Sequence, residues 1–188
     1  KVTNMHAMFD NAYEFNQPLN NWDVSNVTNM SEMFSSAETL AFNQPLDNWD
    51  VIKVTDMSYM FKDAISFNQP LNNWDVSNVT DMSCMFYKAT SFNQPLNNWD
   101  VSSVIDMKGM FGGAEAFNQP IENWDVSNVT DMHQMFKYSN FNQSIGTWDV
   151  SKVTNMLGMF YSAVIFNQDI GNWDVSNVTN MSIMFYNS

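Results

Sequence analysis

Arginine is absent from this sequence of 188 residues, and only seven lysines stand against 20 aspartates and glutamates, for a formal net charge of −13. Surfaces that bind nucleic acid are basic and usually rich in arginine, so this charge balance excludes nucleic acid as an expected partner. The same sign of charge disfavours binding to an anionic membrane surface.

Cysteine and long apolar runs are also scarce. Cys84 is the only cysteine, so no disulfide can form within the chain. The residues at its repeat position elsewhere differ so much in type that we interpret the position as unconstrained: Ala7, Glu32, Tyr59, Gly109, Gln134, Gly158 and Ile183. Without an apolar run long enough to span a bilayer, and without a signal peptide, we expect no direct membrane insertion by this segment.

Motifs of catalysis and metal binding are missing as well. The sequence has no Ser-His-Asp or Cys-His arrangement and no phosphate-binding loop, and it lacks the Gly-rich nonapeptide and the EF-hand loop that bind calcium. His6 and His133 each stand alone, with no partner at metal-ligand spacing. We therefore expect no enzyme, no catalytic residue, no cofactor and no metal site.

What the sequence does contain is a repeat. The motif WDV begins at Trp22, Trp49, Trp74, Trp99, Trp124, Trp148 and Trp173, in steps of 27, 25, 25, 25, 24 and 25 residues. A period of this length is typical of solenoids, in which each coil contacts only its neighbours. All seven Trp, sixteen Met and fifteen Phe fall in five repeat columns, which predicts a stacked core. The two extra residues of the 27-residue step lie in 35–41 and predict an external loop.

The repeat sets the expected organisation of the chain. We predict a single array over residues 1–188, of about 7.5 repeats, because the repeat runs through the whole sequence without interruption. Neither end has the atypical repeat that normally caps a solenoid. We therefore expect a segment of a longer protein, whose uncapped ends are open to self-association.

One repeat unit suggests how a coil is built. In the unit that starts at Phe15, Leu19, Trp22 and Val24 follow an in/out alternation that predicts a short parallel strand at N-W-D-V. The apolar spacing of V-T-x-M-x-x-M-F predicts a short helical or 3₁₀ turn. The Asn-Gln pair that recurs in all seven copies, first as Asn16 and Gln17, is expected to bond to the main chain of adjacent coils.

These residues carry a family resemblance. The pattern L-x-x-W-D-V-S-x-V-T-x-M-x-x-M-F-x-x-A resembles the BspA-like leucine-rich repeat, and the full unit FNQPLxxWDVSxVTxM resembles more closely the variant found in mycoplasma-type surface lipoproteins. The resemblance implies a right-handed parallel β-solenoid of leucine-rich-repeat type, with strands on one face and short helical turns on the other. It further implies a cell-surface or secreted setting and a role in adhesion or recognition, and it supplies no catalytic residue.

Two outward columns are the candidate binding residues. Aspartate follows each tryptophan, at Asp23, Asp50, Asp75, Asp100, Asp125, Asp149 and Asp174, and asparagine precedes most of them, at Asn21, Asn48, Asn73, Asn98, Asn123 and Asn172. In a sheet this aspartate row would have a spacing of about 4.8 Å, and like charges so close destabilise. Either each aspartate accepts local hydrogen bonds from the V-S-N turn, or the row attracts cations, amines or lysine-rich segments. Both can hold together.

The functional prediction is a non-enzymatic cell-surface repeat module that binds an extracellular protein or a glycan through this acidic, polar face. The alternative is a structural spacer or scaffold in a larger surface assembly. Two remote alternatives remain. The threonine column from Thr3 to Thr179 suggests ice binding, although ice-binding surfaces usually present two ranks of threonine, and calcium binding would need bridging between coils.

Overall fold

The protein is a stack of coils built almost entirely from turns. The computed structural model describes residues 1–36 and 40–188, and within these ranges it contains no helix and no strand longer than one residue. Single-residue parallel bridges join one coil to the next in chain order, through Asn4, Asn29, Asp56, Asp81, Asp106, Asp131, Asn155 and Asn180. In the described ranges nothing resembles a helix that could cross a bilayer.

The predicted strand at N-W-D-V is wrong. In the coil around Trp74, the amide of Trp74 donates to the carbonyl of Leu71 at 3.0 Å, and that of Val79 donates to Val76 at 2.9 Å. Each of these two bonds closes a turn within the coil, and the two turns lie at either end of the N-W-D-V segment. Main-chain bonds between coils form instead at V-T-x-M, where Thr80 donates back to Thr55 at 2.9 Å. The expectation of a β-solenoid of leucine-rich-repeat type is thus overturned, although the repeat itself stands.

The predicted helical or 3₁₀ turn is also wrong, because alternate amides of this segment bond to the next coil and the backbone at Cys84 is left-handed. Cys84 donates to the carbonyl of Lys108 at 2.8 Å, and Phe86 donates to Met110 at 2.9 Å. A helix would bond each amide to the carbonyl four residues earlier in the same segment. Here the in-coil bond is a tight turn, in which Met85 donates to Met82 at 3.2 Å.

The repeat column of Cys84 has a left-handed backbone in every coil. Its eight residues have φ angles between 52° and 58°, at Ala7, Glu32, Tyr59, Cys84, Gly109, Gln134, Gly158 and Ile183. A positive φ at the third residue of a four-residue turn is the type II geometry. The interpretation of this column as unconstrained is therefore wrong: the side chain is free to vary, but the backbone is not. It is this reversal that prevents a helix.

The distance between coils explains why the Trp side forms no sheet. Equivalent rings of successive coils lie nearly parallel, so their centroids measure the local spacing. That spacing is 5.6 Å for Phe61 and Phe86 and 6.3 Å for Trp49 and Trp74. Backbone pairing needs about 4.8 Å, and main-chain bonds between coils form at the bridges and at the alternate amides that follow them. The coils therefore fan apart towards the Trp side, beyond the reach of amide-to-carbonyl bonds.

The predicted core is confirmed. In the coil from Phe67 to Val79, the five inward side chains are at most 2% exposed: Phe67, Leu71, Trp74, Val76 and Val79. The methionine and phenylalanine columns are equally buried in the middle coils, as at Met82 and Phe86. A fully buried side chain of this size contributes about 1.5–3 kcal/mol of transfer free energy. Trp22, which has no preceding Trp coil against it, is 38% exposed, whereas Trp173, which has one, is 8% exposed. Of the predicted loop at 35–41, residues 37–39 lie outside the described residues.

The left-handed column generates a stability prediction. A Cβ added at Gly158 would be no closer than 3.5 Å to its neighbours, so Gly158→Ala tests the backbone conformation alone. We expect a loss of about 1 kcal/mol, the cost of a left-handed L-residue, seen as a lower urea midpoint of unfolding. In Gly109→Ala the new Cβ would also lie 2.9 Å from Cys84 Sγ, so the loss should be larger. Equal effects of the two changes would contradict the spatial argument.

Candidate functional site

The aspartate row lies on the side where the coils are furthest apart, and all seven of its members are exposed. Each carboxylate accepts a hydrogen bond through Oδ1 from the amide two residues further on, at 3.1 Å for Asp75 and 3.0 Å for Asp125. The same bond occurs at Asp23, Asp50, Asp100, Asp149 and Asp174. The prediction of a local Asx-type bond is confirmed. Every one of these bonds ends on Oδ1 of an exposed residue.

These local bonds lower the carboxyl pKa at four positions of the row. At Asp23 the Ser25 hydroxyl, 2.6 Å away, and the Ser25 amide together hold the pKa of the carboxyl below its ordinary value. Bonds from Ser102 and Ser151 lower the pKa of Asp100 and Asp149 in the same way, and at Asp174 the amide of Ser176 is the main cause. Like charges along the row would raise these pKa values, so donation from the turn outweighs the repulsion at these positions.

The predicted asparagine column joins the row to form a shallow polar depression. All six asparagines of the column are exposed. Between two coils the surface encloses a volume of about 490 Å³, lined by Asn72, Asn73, Trp74, Asp75, Ser77, Asn98 and Asp100. Two aspartates and two asparagines of the predicted set therefore share one recess. Carboxylate and amide oxygens side by side can accept bonds from ammonium, amide or hydroxyl donors.

A second row of the same kind escaped the sequence analysis. It consists of the eight bridge residues, and each again accepts the amide two residues on, as Ser83 donates to Asp81 at 2.8 Å. Four consecutive members are aspartates, and the two at the ends, Asp56 and Asp131, receive side-chain bonds from Asn29 and Asn155, both at 3.2 Å. The signal was present, since Asn or Asp always stands between Thr (once Ile105) and Met. It was missed because the segment was expected to be helical.

Side chains supply the bonds between coils on the Trp side. Asn68 Oδ1 accepts the amide of Asn93 at 3.0 Å and the Nε2 of Gln94 at 3.0 Å, and this pairing recurs along the stack. The predicted bonding of the Asn-Gln pair to neighbouring main chain is therefore confirmed. Trp99 Nε1 donates to the carbonyl of Leu71 in the preceding coil at 2.9 Å. These bonds span the gap that is too wide for main-chain pairing.

The threonine column also bonds between coils. Thr80 Oγ1 donates to the carbonyl of Thr55 at 3.2 Å, and the arrangement recurs from Thr28 to Thr179, with Ile105 as the interruption. Within residues 1–36 and 40–188, no three His, Cys, Asp or Glu side chains are grouped so that they could hold a metal ion. The acidic face, formed by the aspartate row and the asparagine column, therefore presents hydrogen-bond acceptors. The coils that carry it are joined by the Asn-Gln, Trp and Thr bonds.

The bond from Ser25 to Asp23 generates a pH prediction. We expect Ser25→Ala to raise the pKa of Asp23 towards its ordinary value of about 3.9, because the hydroxyl stabilises the charged form. A depressed pKa contributes stability above the ordinary value, and this stability is lost as the pH falls through the lowered value. Ser25→Ala should therefore reduce the stability lost on acidification. Carboxyl ¹³C NMR titration checks the pKa, and an unchanged Asp23 pKa would contradict the assignment.

Comparison with known proteins identifies a family. Three overlapping stretches, residues 1–90, 69–139 and 115–188, match a family model described as Mycoplasma protein of unknown function, DUF285. Neither the curated proteins nor the solved structures contain a match.

Proposed function

The chain belongs to the DUF285 family of mycoplasma proteins, and we propose that it is a non-enzymatic surface module that binds an extracellular protein or glycan through its acidic face. The observation that carries the proposal is the recess in which Asp75 and Asp100 lie beside Asn73 and Asn98. Its ligand class follows from its acceptors: lysine-rich or amine-bearing protein segments, or the hydroxyls of a repeating polysaccharide.

The regularity of the face supports a repetitive ligand. The aspartate is present in all seven copies and its local bond recurs in each, so every coil offers the same acceptors at a regular step. An array of identical weak sites gains avidity when its ligand also repeats, because each further contact becomes intramolecular. The face therefore offers a series of equivalent binding sites, one on each coil.

The resemblance to BspA-like surface proteins and mycoplasma-type lipoproteins supports a cell-surface or extracellular location. This part of the proposal rests on the repeat motif alone. The net charge of −13 supports a cationic or neutral ligand and disfavours nucleic acid.

A structural spacer is the second candidate, and one observation favours it. The hydrogen bond that each aspartate accepts from its own turn already accounts for the presence of aspartate in every coil. A spacer would need these bonds and no ligand. The two functions are separated by whether the charge of the row, rather than its Asx bond, has a measurable role.

The test replaces charge and retains the turn. Asparagine keeps the Oδ1 acceptor, so the double variant Asp75→Asn, Asp100→Asn should preserve the Asx bonds while it removes two charges from the recess. We expect the wild-type segment to bind components of an array of cationic peptides, matrix proteins and glycans. The double variant should bind the cationic components about tenfold more weakly, and the difference should shrink at high salt.

The matched control is Asp10→Asn with Glu14→Gln, which removes the same charge from exposed positions of the first coil. This variant should bind as the wild type does. Binding to a polysaccharide that persists at high salt would point to the asparagine column within the same face. The binding experiment is run at low and at high salt, with and without calcium. If the wild type binds nothing under any of these conditions, the ligand-binding function is refuted and the spacer function stands.

A further inference from the structure

The coil edge that carries the two left-handed columns differs from the rest of the surface, because its residues change from coil to coil. The second of these columns has φ angles between 54° and 69°, at Asn11, Asp63, Lys88, Gly113, Tyr138, Ser162 and Asn187. We call the surface formed by both left-handed columns, with the residues directly beside them, the variable edge. At these positions the left-handed backbone conformation recurs, whereas the type of side chain differs between coils.

All six tyrosines of the protein lie on the variable edge: Tyr13, Tyr59, Tyr87, Tyr138, Tyr161 and Tyr186. The six are spread along the sequence, but the stacking of coils brings three of them into contact. The rings of Tyr138 and Tyr161 meet edge to face at 5.4 Å, and Tyr161 stacks on Tyr186 at 5.1 Å. Tyrosine supplies rigid contact area at low entropic cost, and for that reason it dominates protein-binding surfaces.

A groove follows the variable edge across five coils. It has a volume of about 610 Å³, and its lining includes one residue of the second left-handed column from each coil: Asp63, Lys88, Gly113, Tyr138 and Ser162. Gly113 lies in the middle of this series. A Cβ there would lie 3.0 Å from Lys88 Cγ, a tight contact that glycine avoids. Ile65 and Thr90 add apolar surface to the lining.

Lysines gather at the groove, although the protein carries −13 overall. Lys88 is in the lining together with Asp63 and Glu115, and Lys62 and Lys137 are the sequence neighbours of the lining residues Asp63 and Tyr138. Asp63 is paired with Lys62 at 3.2 Å, whereas Lys88 Nζ lies 4.0 Å from Asp63 Oδ1 and 57% of the Lys88 side chain is exposed. Lys137 lies over the rings of Tyr138 and Tyr161, at 5.1 and 5.4 Å from their centroids. Two cations are therefore available to a carboxylate.

The dimensions of the groove suit an extended peptide. Main-chain bonds join the coils at this edge, as where Asp63 donates to Tyr87 at 2.7 Å, so the coils are about 4.8 Å apart. Four steps give a groove of about 19 Å, the length of roughly six extended residues. A periodic polysaccharide would call for the same residue in each coil, but the five residues here all differ. The variation favours a protein segment of irregular sequence.

We propose that the variable edge binds an extended segment of a partner protein, in which carboxylates flank an apolar or aromatic side chain. The carboxylates pair with Lys88 and Lys137, and the apolar side chain lies over Gly113 against the ring of Tyr138. This surface is separate from the acidic face and takes ligands of the opposite charge, so either can function without the other.

The experiment selects ligands from a displayed library of random linear peptides with the wild-type segment as target. We expect an enriched group of peptides that combine Asp or Glu with an aromatic or aliphatic residue. Their affinity, measured with purified peptide, should fall about tenfold or more in Tyr138→Ala and in Lys88→Glu, the loss of an interface hot spot. Both changed side chains are exposed, so the urea midpoints should stay near that of the wild type.

Two controls separate this proposal from the proposed function. Tyr13→Ala removes an exposed tyrosine of the same edge outside the groove and should leave peptide affinity unchanged. The variant Asp75→Asn, Asp100→Asn should also bind these peptides as the wild type does. The proposal is overturned if no acidic-apolar group is enriched, or if such peptides bind Tyr138→Ala and Lys88→Glu with wild-type affinity.

Discussion

Hydrogen bonds between coils are the constraint on which this structure depends. A chain of tight turns satisfies only part of its main-chain groups internally, and a buried amide left unpaired costs about 1–3 kcal/mol. On one side the main chain meets this need directly, through the bridges and the alternate amides that follow them. On the other side the coils are too far apart, and Asn, Gln and Trp side chains make the connection. Each coil is complete only between two neighbours.

The use of main-chain bonds on one side of the stack and side-chain bonds on the other accounts for the columns of the repeat. Asn68, Gln94 and Trp99 recur because each spans the gap to a neighbouring coil. Asp75 recurs because it bonds its own turn, and its exposed position adds a charge that the turn bond alone does not need. The left-handed columns require a backbone conformation rather than a side chain, so variation gathers there. Hydrogen bonding therefore fixes the side chains of the acidic face but only the backbone of the variable edge. The two proposed binding surfaces differ for that reason.

Several features could be predicted from the repeat alone. The inward columns, the Asn-Gln ladder and the local bonds of the aspartates follow from residue type and position, since burial and Asx bonding are local or columnar properties. That these segments form neither a strand nor a helix in the described residues could not be predicted. The spacing of Leu71, Trp74 and Val76 suits a strand, but strand pairing also needs coils about 4.8 Å apart, and the stacked indole rings are separated by 6.3 Å. Likewise, helical spacing of Met82, Met85 and Phe86 conceals the positive φ of Cys84.

The amino-acid sequence by itself determined the period, the stacked core, the acidic character and the membership of each column, because these depend on residue identity repeated at a regular step. Tertiary structure alone decided where the coils pair, which side they fan towards and which residues of different coils meet. Tyr138 and Tyr161 are 23 positions apart in the chain yet their rings touch, since stacking converts the repeat period into a contact. The groove beside them exists for the same reason.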